Sequence, residues 1–285
     1  MRSGPQLSWG PPVRTGSERC RNSKPAVPAA QPESFAVALS PWVQPSRIAC
    51  AAARSAGGIL EAVAQTFRWI HRAPQGIGAL SPLAPRLGVL SGTFNPPTRG
   101  HLAIGTAALE QLALHEVLFV LPEQPPHRQV PEASLEQRAE MLRAAVATEP
   151  RFSAAVTQGG LLLDIHEAIR THYPAETKFF FLVGRDAAER ILLHWPYADP
   201  ARALAEMFAR FELGVADRQG PFRLPSDVPA AAYAPRIHRL QIPVALETIS
   251  ASQVRERIAR GEPVADLLPD EVAALIRRHG LYRSS

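Results

Sequence analysis

Residues 87–102 read Leu87-Gly88-Val89-Leu90-Ser91-Gly92-Thr93-Phe94-Asn95-Pro96-Pro97-Thr98-Arg99-Gly100-His101-Leu102. The run Leu87–Leu90 has no polar alternation, as expected of a strand buried on both faces. Gly92 then frees the backbone and Pro96-Pro97 stiffens a turn. A helical pattern follows over Leu102–Leu114. This strand–loop–helix order decides the fold, because it recurs downstream. His101 falls in the first turn of that helix, where free N–H groups and the macrodipole favour a phosphate. The loop is neither a Walker A loop nor a GxGxxG turn. From the residues alone, turn chemistry and a phosphate site are equally good readings.

Further candidate strands are Val117–Leu121, Phe179–Val183, Phe211–Ala216 and Ile237–Gln241. Helical patterns fill the gaps at Leu135–Ala147, Ile165–His172, Ala187–Leu193 and Ala201–Phe208. Alternation of this kind predicts a doubly wound parallel α/β sheet, with ligands beyond the carboxyl ends of its strands.

The chain has 285 residues, enough for one sizeable core with an appendage. Residues 1–84 have another texture. They are rich in Pro, Arg, Ser and Ala, and their acidic residues are Glu18, Glu33 and Glu61. Residues 1–84 are therefore expected to be a mostly disordered N-terminal extension, with one helix possible over residues 59–71, and 85–285 to be the folded domain. The composition of the extension is also that of an organelle transit peptide. Both cysteines, Cys20 and Cys50, lie in it, so the folded part has neither a disulfide framework nor a cysteine metal site. A reducing, cytoplasmic setting is the simplest fit. With 46% hydrophobic and 20% charged residues the chain reads as globular, and its apolar runs are too short to span a membrane. A net charge of +5 suits anionic small molecules as readily as nucleic acid.

The segment Ser91-Gly92-Thr93-Phe94-Asn95-Pro96 followed by Thr98-Arg99-Gly100-His101 resembles the (His/Thr)-x-Gly-His signature of the nucleotidylyltransferase superfamily. Further stretches are similar to the nicotinate-nucleotide adenylyltransferase family within it. Pro125-Pro126-His127-Arg128 resembles its Pro-Pro-His-(Lys/Arg) loop, and Arg138-Ala139-Glu140-Met141-Leu142 its Arg-x-x-Met-Leu helix. Gly184-Arg185-Asp186 resembles its Gly-x-Asp strand end. Trp195 and the run from Ile249-Ser250-Ala251-Ser252-Gln253-Val254-Arg255 to Gly280-Leu281-Tyr282 also match in order. The likeness covers about 87–283. It implies a Rossmann-like domain that moves AMP from ATP, carried with Mg²⁺, to nicotinate mononucleotide, giving deamido-NAD and pyrophosphate. It implies a phosphate contact from His101, a weaker one from Thr98, and cations from Arg128 and Arg255. It places ATP against Gly92, Thr93, Phe94, Asn95, Gly100, Gly184, Asp186, Ile249, Ser250 and Ser252, and the acceptor against Trp195, Leu162 and Arg218. No dedicated metal site is expected, and homo-oligomerisation is left open.

Ser250 and Gln253 also fit a capping box, Ser-x-x-Gln, compatible with an anion site at the same terminus. Six further histidines, His115, His166, His172, His194, His238 and His279, lack metal-ligand spacing and are expected at the surface. One departure stands out. Where the family carries Tyr-Thr-x-x-Thr, this chain has Leu161, Leu162 and Ile165, with Asp164 alone in agreement. Losing hydroxyls there removes polar contacts that would select an acceptor. Sibling chemistries therefore stay open: nicotinamide mononucleotide or phosphopantetheine as acceptor, a CTP-dependent reaction, or nucleotide binding without turnover.

Overall fold

The computed structural model describes residues 67–125, 132–194, 198–218 and 220–283. In chain order these form β1 (Phe67–His71), α1 (Ile77–Leu80), β2 (Arg86–Ser91), α2 (Arg99–Gln111), β3 (Glu116–Pro122), α3 (Leu135–Val146) and β4 (Phe152–Thr157). Then come α4 (Leu162–Ile169), β5 (Lys178–Gly184), α5 (Arg185–Glu189), α6 (Pro200–Arg210) and β6 (Phe211–Ala216). The last are β7 (Ile237–Leu240), α7 (Val244–Glu247), α8 (Ala251–Ala259) and α9 (Asp270–His279).

The seven strands lie in the order β1-β4-β3-β2-β5-β6-β7. All neighbouring pairs are parallel except β1 with β4. Chain order reverses direction across the sheet at β2, which sits between β3 and β5. That is the topological switch point, where a crevice opens beyond the strand ends. The loop after β2 empties into it.

Side chains alternate strictly across the sheet, as a period of two requires. Leu90, Val117, Phe119, Leu121, Phe180 and Leu182 face the layer that holds α2 and α3. Leu87, Val89, Leu118, Val120, Phe179, Phe181 and Leu213 face the layer that holds α4 and α6. Each fully buried Leu, Val or Phe contributes about 1.5–3 kcal/mol. A third cluster covers the outer side of α3. There Met141 and Ala145 pack with Val254 of α8, Leu268, and Val272 and Ile276 of α9. The C-terminal helices thus form an added layer that reaches back to the α2 side of the molecule.

Two strands depart from the expectations. The helix considered over 59–71 gives way, at its described end, to strand β1; residues 59–66 lie outside the described residues. Only Ile70 of β1 is buried, so the strand shows neither alternation nor an apolar run. Its pairing with β4, and the bond from Arg143 Nε to the Ile70 carbonyl (3.0 Å), hold it in place. Residues up to 80 are knitted in as well. The buried Glu116 carboxylate accepts from the Ile77 N–H (2.8 Å) and the Tyr173 hydroxyl (2.7 Å). The extension expected over 1–84 therefore gives up its described end, residues 67–84, to the domain. Strand β4, Phe152–Thr157, was not foreseen either. It is buried along its whole length, but half of it, Ser153-Ala154-Ala155, carries little strand signal.

His166 is also buried rather than at the surface. Its ring lies edge-on to Phe179, at 4.9 Å between centroids. Desolvation holds its pKa below the usual histidine range, with the Glu167 carboxylate opposing.

Candidate functional site

The loop from Gly92 to Thr98 is clamped on every side. Phe94 takes a left-handed backbone (φ 43°) and is fully buried, its ring 5.2 Å from that of His101. A Cβ on Gly92 would stand 3.3 Å from the Phe94 ring, so glycine here makes room for that ring. The Thr93 carbonyl accepts from Arg138 (3.1 Å), a buried guanidinium on α3. Desolvation draws the Arg138 pKa down. Its Nε is buried without a partner among the described residues. Asn95 is buried and held at both ends: its side-chain oxygen accepts from the Tyr282 hydroxyl (2.6 Å) and its carbonyl from Arg255 (2.9 Å). Burial pushes the Tyr282 phenol up. Arg255 and Arg138 draw it down and Glu132 raises it, so these charges share one locale.

Thr98 and His101 form a capping box at the start of α2. The Thr98 hydroxyl accepts from the His101 N–H (3.4 Å), and the Thr98 N–H donates to His101 Nδ1 (3.0 Å). Histidine here does what Glu or Gln does in the usual box. Because Nδ1 accepts from a backbone N–H, the neutral ring carries its proton on Nε2. Desolvation first, and then the nearby Arg218 guanidinium, lower the His101 pKa to about 4. The bond into Nδ1 acts the same way, since protonation there would set one N–H against another. At neutral pH the ring is an uncharged Nε2–H donor of fixed orientation. The expected phosphate contact from Thr98 is corrected: its side chain is 0% exposed and engaged with His101.

Gly100 lets another segment close in. A Cβ there would lie 3.2 Å from the Ile249 carbonyl and 3.3 Å from that of Leu246. This brings the start of α8 against the start of α2. Ser250 caps α8, accepting from the Gln253 N–H (3.1 Å); the Gln253 side chain does not reach back, so only half of the expected box forms. Ser252 is exposed on the first turn. Arg255 reaches across to Asn95, and its Nε pairs with Glu132 (2.9 Å).

Arg218, expected at the acceptor, lies beside His101. Its side chain crosses Gly184, where a Cβ would come within 2.9 Å of Arg218 Cδ, and donates to the carbonyls of Glu247 and Ile249 (3.3 Å each). Thr98, His101, Arg218, Leu246 and Ile249 enclose a cavity of ≈ 20 Å³, room for about one water. A larger concavity, ≈ 680 Å³, runs between α8 and α9 and holds none of the expected residues.

The structure therefore brings together Gly92, Thr93, Phe94, Asn95, Thr98, Gly100, His101, Ile249, Ser250, Ser252, Arg255, Gly184 and Arg218. Asp186 stands at the start of α5 with its side chain exposed, after Gly184 at the carboxyl end of β5. Leu162 begins α4 and packs on the opposite face of the sheet from α2. Arg128 and Trp195 lie outside the described residues. Sequence reasoning missed the roles of Arg138, Tyr282, Asn95 as a hub, and Glu132. Their partners lie 45 to 187 positions away, or 123 for Glu132 with Arg255, which no local spacing reveals.

Among the described residues no group of three or more His, Cys, Asp or Glu is placed to hold a metal ion, and no helix is long and apolar enough to cross a membrane.

Residues 89–257 match the cytidylyltransferase-like family. Curated relatives include the probable nicotinate-nucleotide adenylyltransferases of Exiguobacterium sibiricum, 32% identical over 69% of this chain and 98% of that protein, and of Clavibacter michiganensis subsp. michiganensis, 34% identical over 72% of this chain and 98% of that protein. Among solved structures, the fold is similar to that of Plasmodium falciparum nicotinic acid mononucleotide adenylyltransferase complexed with NaAD. The TM-score is 0.54 at 14% identity, over 70% of this chain and 97% of that one. A sheet whose switch point opens on Thr98-Arg99-Gly100-His101 and the capped start of α8 carries that match into three dimensions: this chain belongs to the cytidylyltransferase-like family and, within it, to the nicotinate-nucleotide adenylyltransferases.

Proposed function

We propose that the chain transfers AMP from ATP to nicotinate mononucleotide. An oxygen of the acceptor's 5′-phosphate attacks the α-phosphorus. As that P–O bond forms, the bond from the α-phosphorus to the β-bridging oxygen breaks, pyrophosphate leaves and deamido-NAD is produced. ATP enters with Mg²⁺ carried on its phosphate oxygens, as substrate rather than resident cofactor. The setting is taken to be cytoplasmic.

The observation that carries the reading is the pinned ring of His101. Its Nε2–H donates to an α-phosphoryl oxygen as charge grows there, at no reorganisation cost. Thr98 is a positioning residue, since it acts through the imidazole. The first turn of α8, with Ser250, Ser252 and Arg255, takes the β- and γ-phosphates. Arg218 adds positive charge beside His101, and Arg128 adds another cation. The strand end Gly184–Asp186 lines the adenosine side; Leu162 and Trp195 border the acceptor. Catalysis is positioning plus charge stabilisation, with no covalent enzyme intermediate.

Pyrophosphate release from ATP and from CTP, measured over a panel of acceptors, tests the reading. Turnover with ATP and nicotinate mononucleotide is the expected result, and silence on every pair overturns it. One observation favours a second reading of the acceptor. Leu161, 44% exposed, and Leu162 offer no hydroxyl where relatives of the resembling family select nicotinate. Equal or better turnover with nicotinamide mononucleotide would adopt that reading.

A further inference from the structure

We propose that Glu132 is an internal counter-anion of the phosphate site: its carboxylate competes with the phosphates of ATP and of pyrophosphate for Arg255 and weakens the hold on both. The proposal rests on the reading of Arg255 as a phosphate ligand. Three nitrogens of that guanidinium are occupied. Nη1 donates to the Asn95 carbonyl (2.9 Å), Nη2 to the Ser252 hydroxyl (3.4 Å), and Nε pairs with Glu132 Oε2 (2.9 Å). The first two bonds go to the phosphate loop and to the first turn of α8, so they fix where the cation stands. The third goes to an anion that belongs to neither element.

The Glu132 carboxylate is 43% exposed, whereas Arg255 is 27% exposed. Water can therefore replace Arg255 as its partner when a phosphate arrives. Glu132 also sits on a left-handed backbone (φ 76°), which side chains rarely adopt. If Glu132 stays, it presents a like charge to a polyanion a few ångströms away; if it leaves, an ion pair is lost. Either way the bound phosphates are weakened. Weak retention of pyrophosphate suits an enzyme whose product must depart before the next ATP enters.

A purely structural role gives the opposite sign. If Glu132 only orients Arg255, removing its charge loosens the arginine and weakens phosphate binding. Glu132→Gln separates the two cases, because the amide oxygen still accepts from Nε while the charge is gone. With the full chain, calorimetric titration with inorganic pyrophosphate should give a Kd about three- to tenfold lower for Glu132→Gln than for the parent, on the scale of one screened charge contact. The KM for ATP should fall in parallel. Glu132→Gly, which suits the left-handed backbone, should act in the same direction and answers any loss of folding in the Gln variant.

Glu136→Gln removes an equal charge from an exposed pair with Arg68 and should leave the Kd unchanged. A Kd that is unchanged or higher in both Glu132 variants overturns the proposal. So does an equal tightening in Glu136→Gln, since the effect would then be general charge. If the parent releases no pyrophosphate with any acceptor while the Glu132 variants still bind pyrophosphate more tightly, the catalytic reading fails and this one stands.

Discussion

Two strand-to-helix exits from the same sheet are built to opposite standards. After β2 the chain enters α2 through Thr98 and His101, a reciprocal cap whose members are both fixed. After β4 it enters α4 through Leu161, which has no side-chain cap and is 44% exposed. The first exit is braced from outside by Arg138, Tyr282 and Arg255, contributed by α3, the C-terminal segment and α8. The second has a local bond from the Thr157 hydroxyl to the Gly159 carbonyl (2.9 Å), and backbone bonds from Glu123 and Gln124 to the carbonyls of Thr157 and Gln158 (2.8 and 3.2 Å). On the proposed function, the contrast separates two kinds of selectivity. Transition-state geometry needs a donor fixed to within a fraction of an ångström, so the exit that carries it is over-determined. Acceptor preference needs only a surface, and a surface can change without disturbing the chemistry.

The strongest attempt to break this division is His101→Ala. Loss of one preorganised donor should lower kcat by about 10²–10³-fold, with KM for the acceptor little moved; turnover within threefold of the parent would remove His101 from the chemistry. Next comes Thr98→Ala, which deletes the hydroxyl half of the cap and leaves the ring only the backbone N–H on Nδ1. It should cost about 1 kcal/mol of stability, read by chemical denaturation, and about tenfold in kcat. Thr98→Ser should recover most of both, and no rescue would mean that the methyl group matters instead.

A pH series sharpens the account of the ring. With its pKa lowered to about 4, His101 stays neutral well below the usual histidine midpoint. The unfolded chain, whose histidine titrates near 6.5, binds that proton first as pH falls. This contribution to stability is therefore complete above about pH 6.5 and is lost as pH drops toward 4. Accordingly kcat should be flat from about pH 8 to 5, with no histidine limb near 6.5. A limb near 6.5 in the parent would show that burial and Arg218 do not lower the His101 pKa as described.

The smallest effect belongs to the second exit. Leu161→Ser supplies the missing cap and should stabilise the protein by about 0.5–1 kcal/mol, a Tm rise of roughly 1–4 °C, with KM for ATP unchanged. A change in ATP handling would mean that the two exits are coupled after all.

Legibility followed the range of the interactions. β2, β3 and β5 announce themselves as apolar runs, and the (His/Thr)-x-Gly-His stretch is local, so the crevice and its histidine can be read from the chain. β4 cannot, because its Ser and Ala residues owe their strand to burial between neighbours. β1 cannot, because Phe67 and Ile70 share a helical spacing and only long-range pairing makes them a strand. The role of Thr98 is half legible. The motif names the residue, but only the geometry shows its hydroxyl turned to the ring rather than to a phosphate. The path of the Arg218 side chain is not legible either. A βα-loop arginine carries no sign that it will cross Gly184 and settle beside His101.

Tyr282 reaches back 187 positions to hold Asn95. During synthesis at about 5–20 residues per second, the loop after β2 therefore waits roughly 10–40 s between its own translation and that of its brace. The sheet strands are all made before position 241 and can assemble in that interval, while the loop after β2 stays unlocked. A nascent chain would thus carry a formed scaffold and an unfinished site, and competence would arrive as a single event once Tyr282 is made.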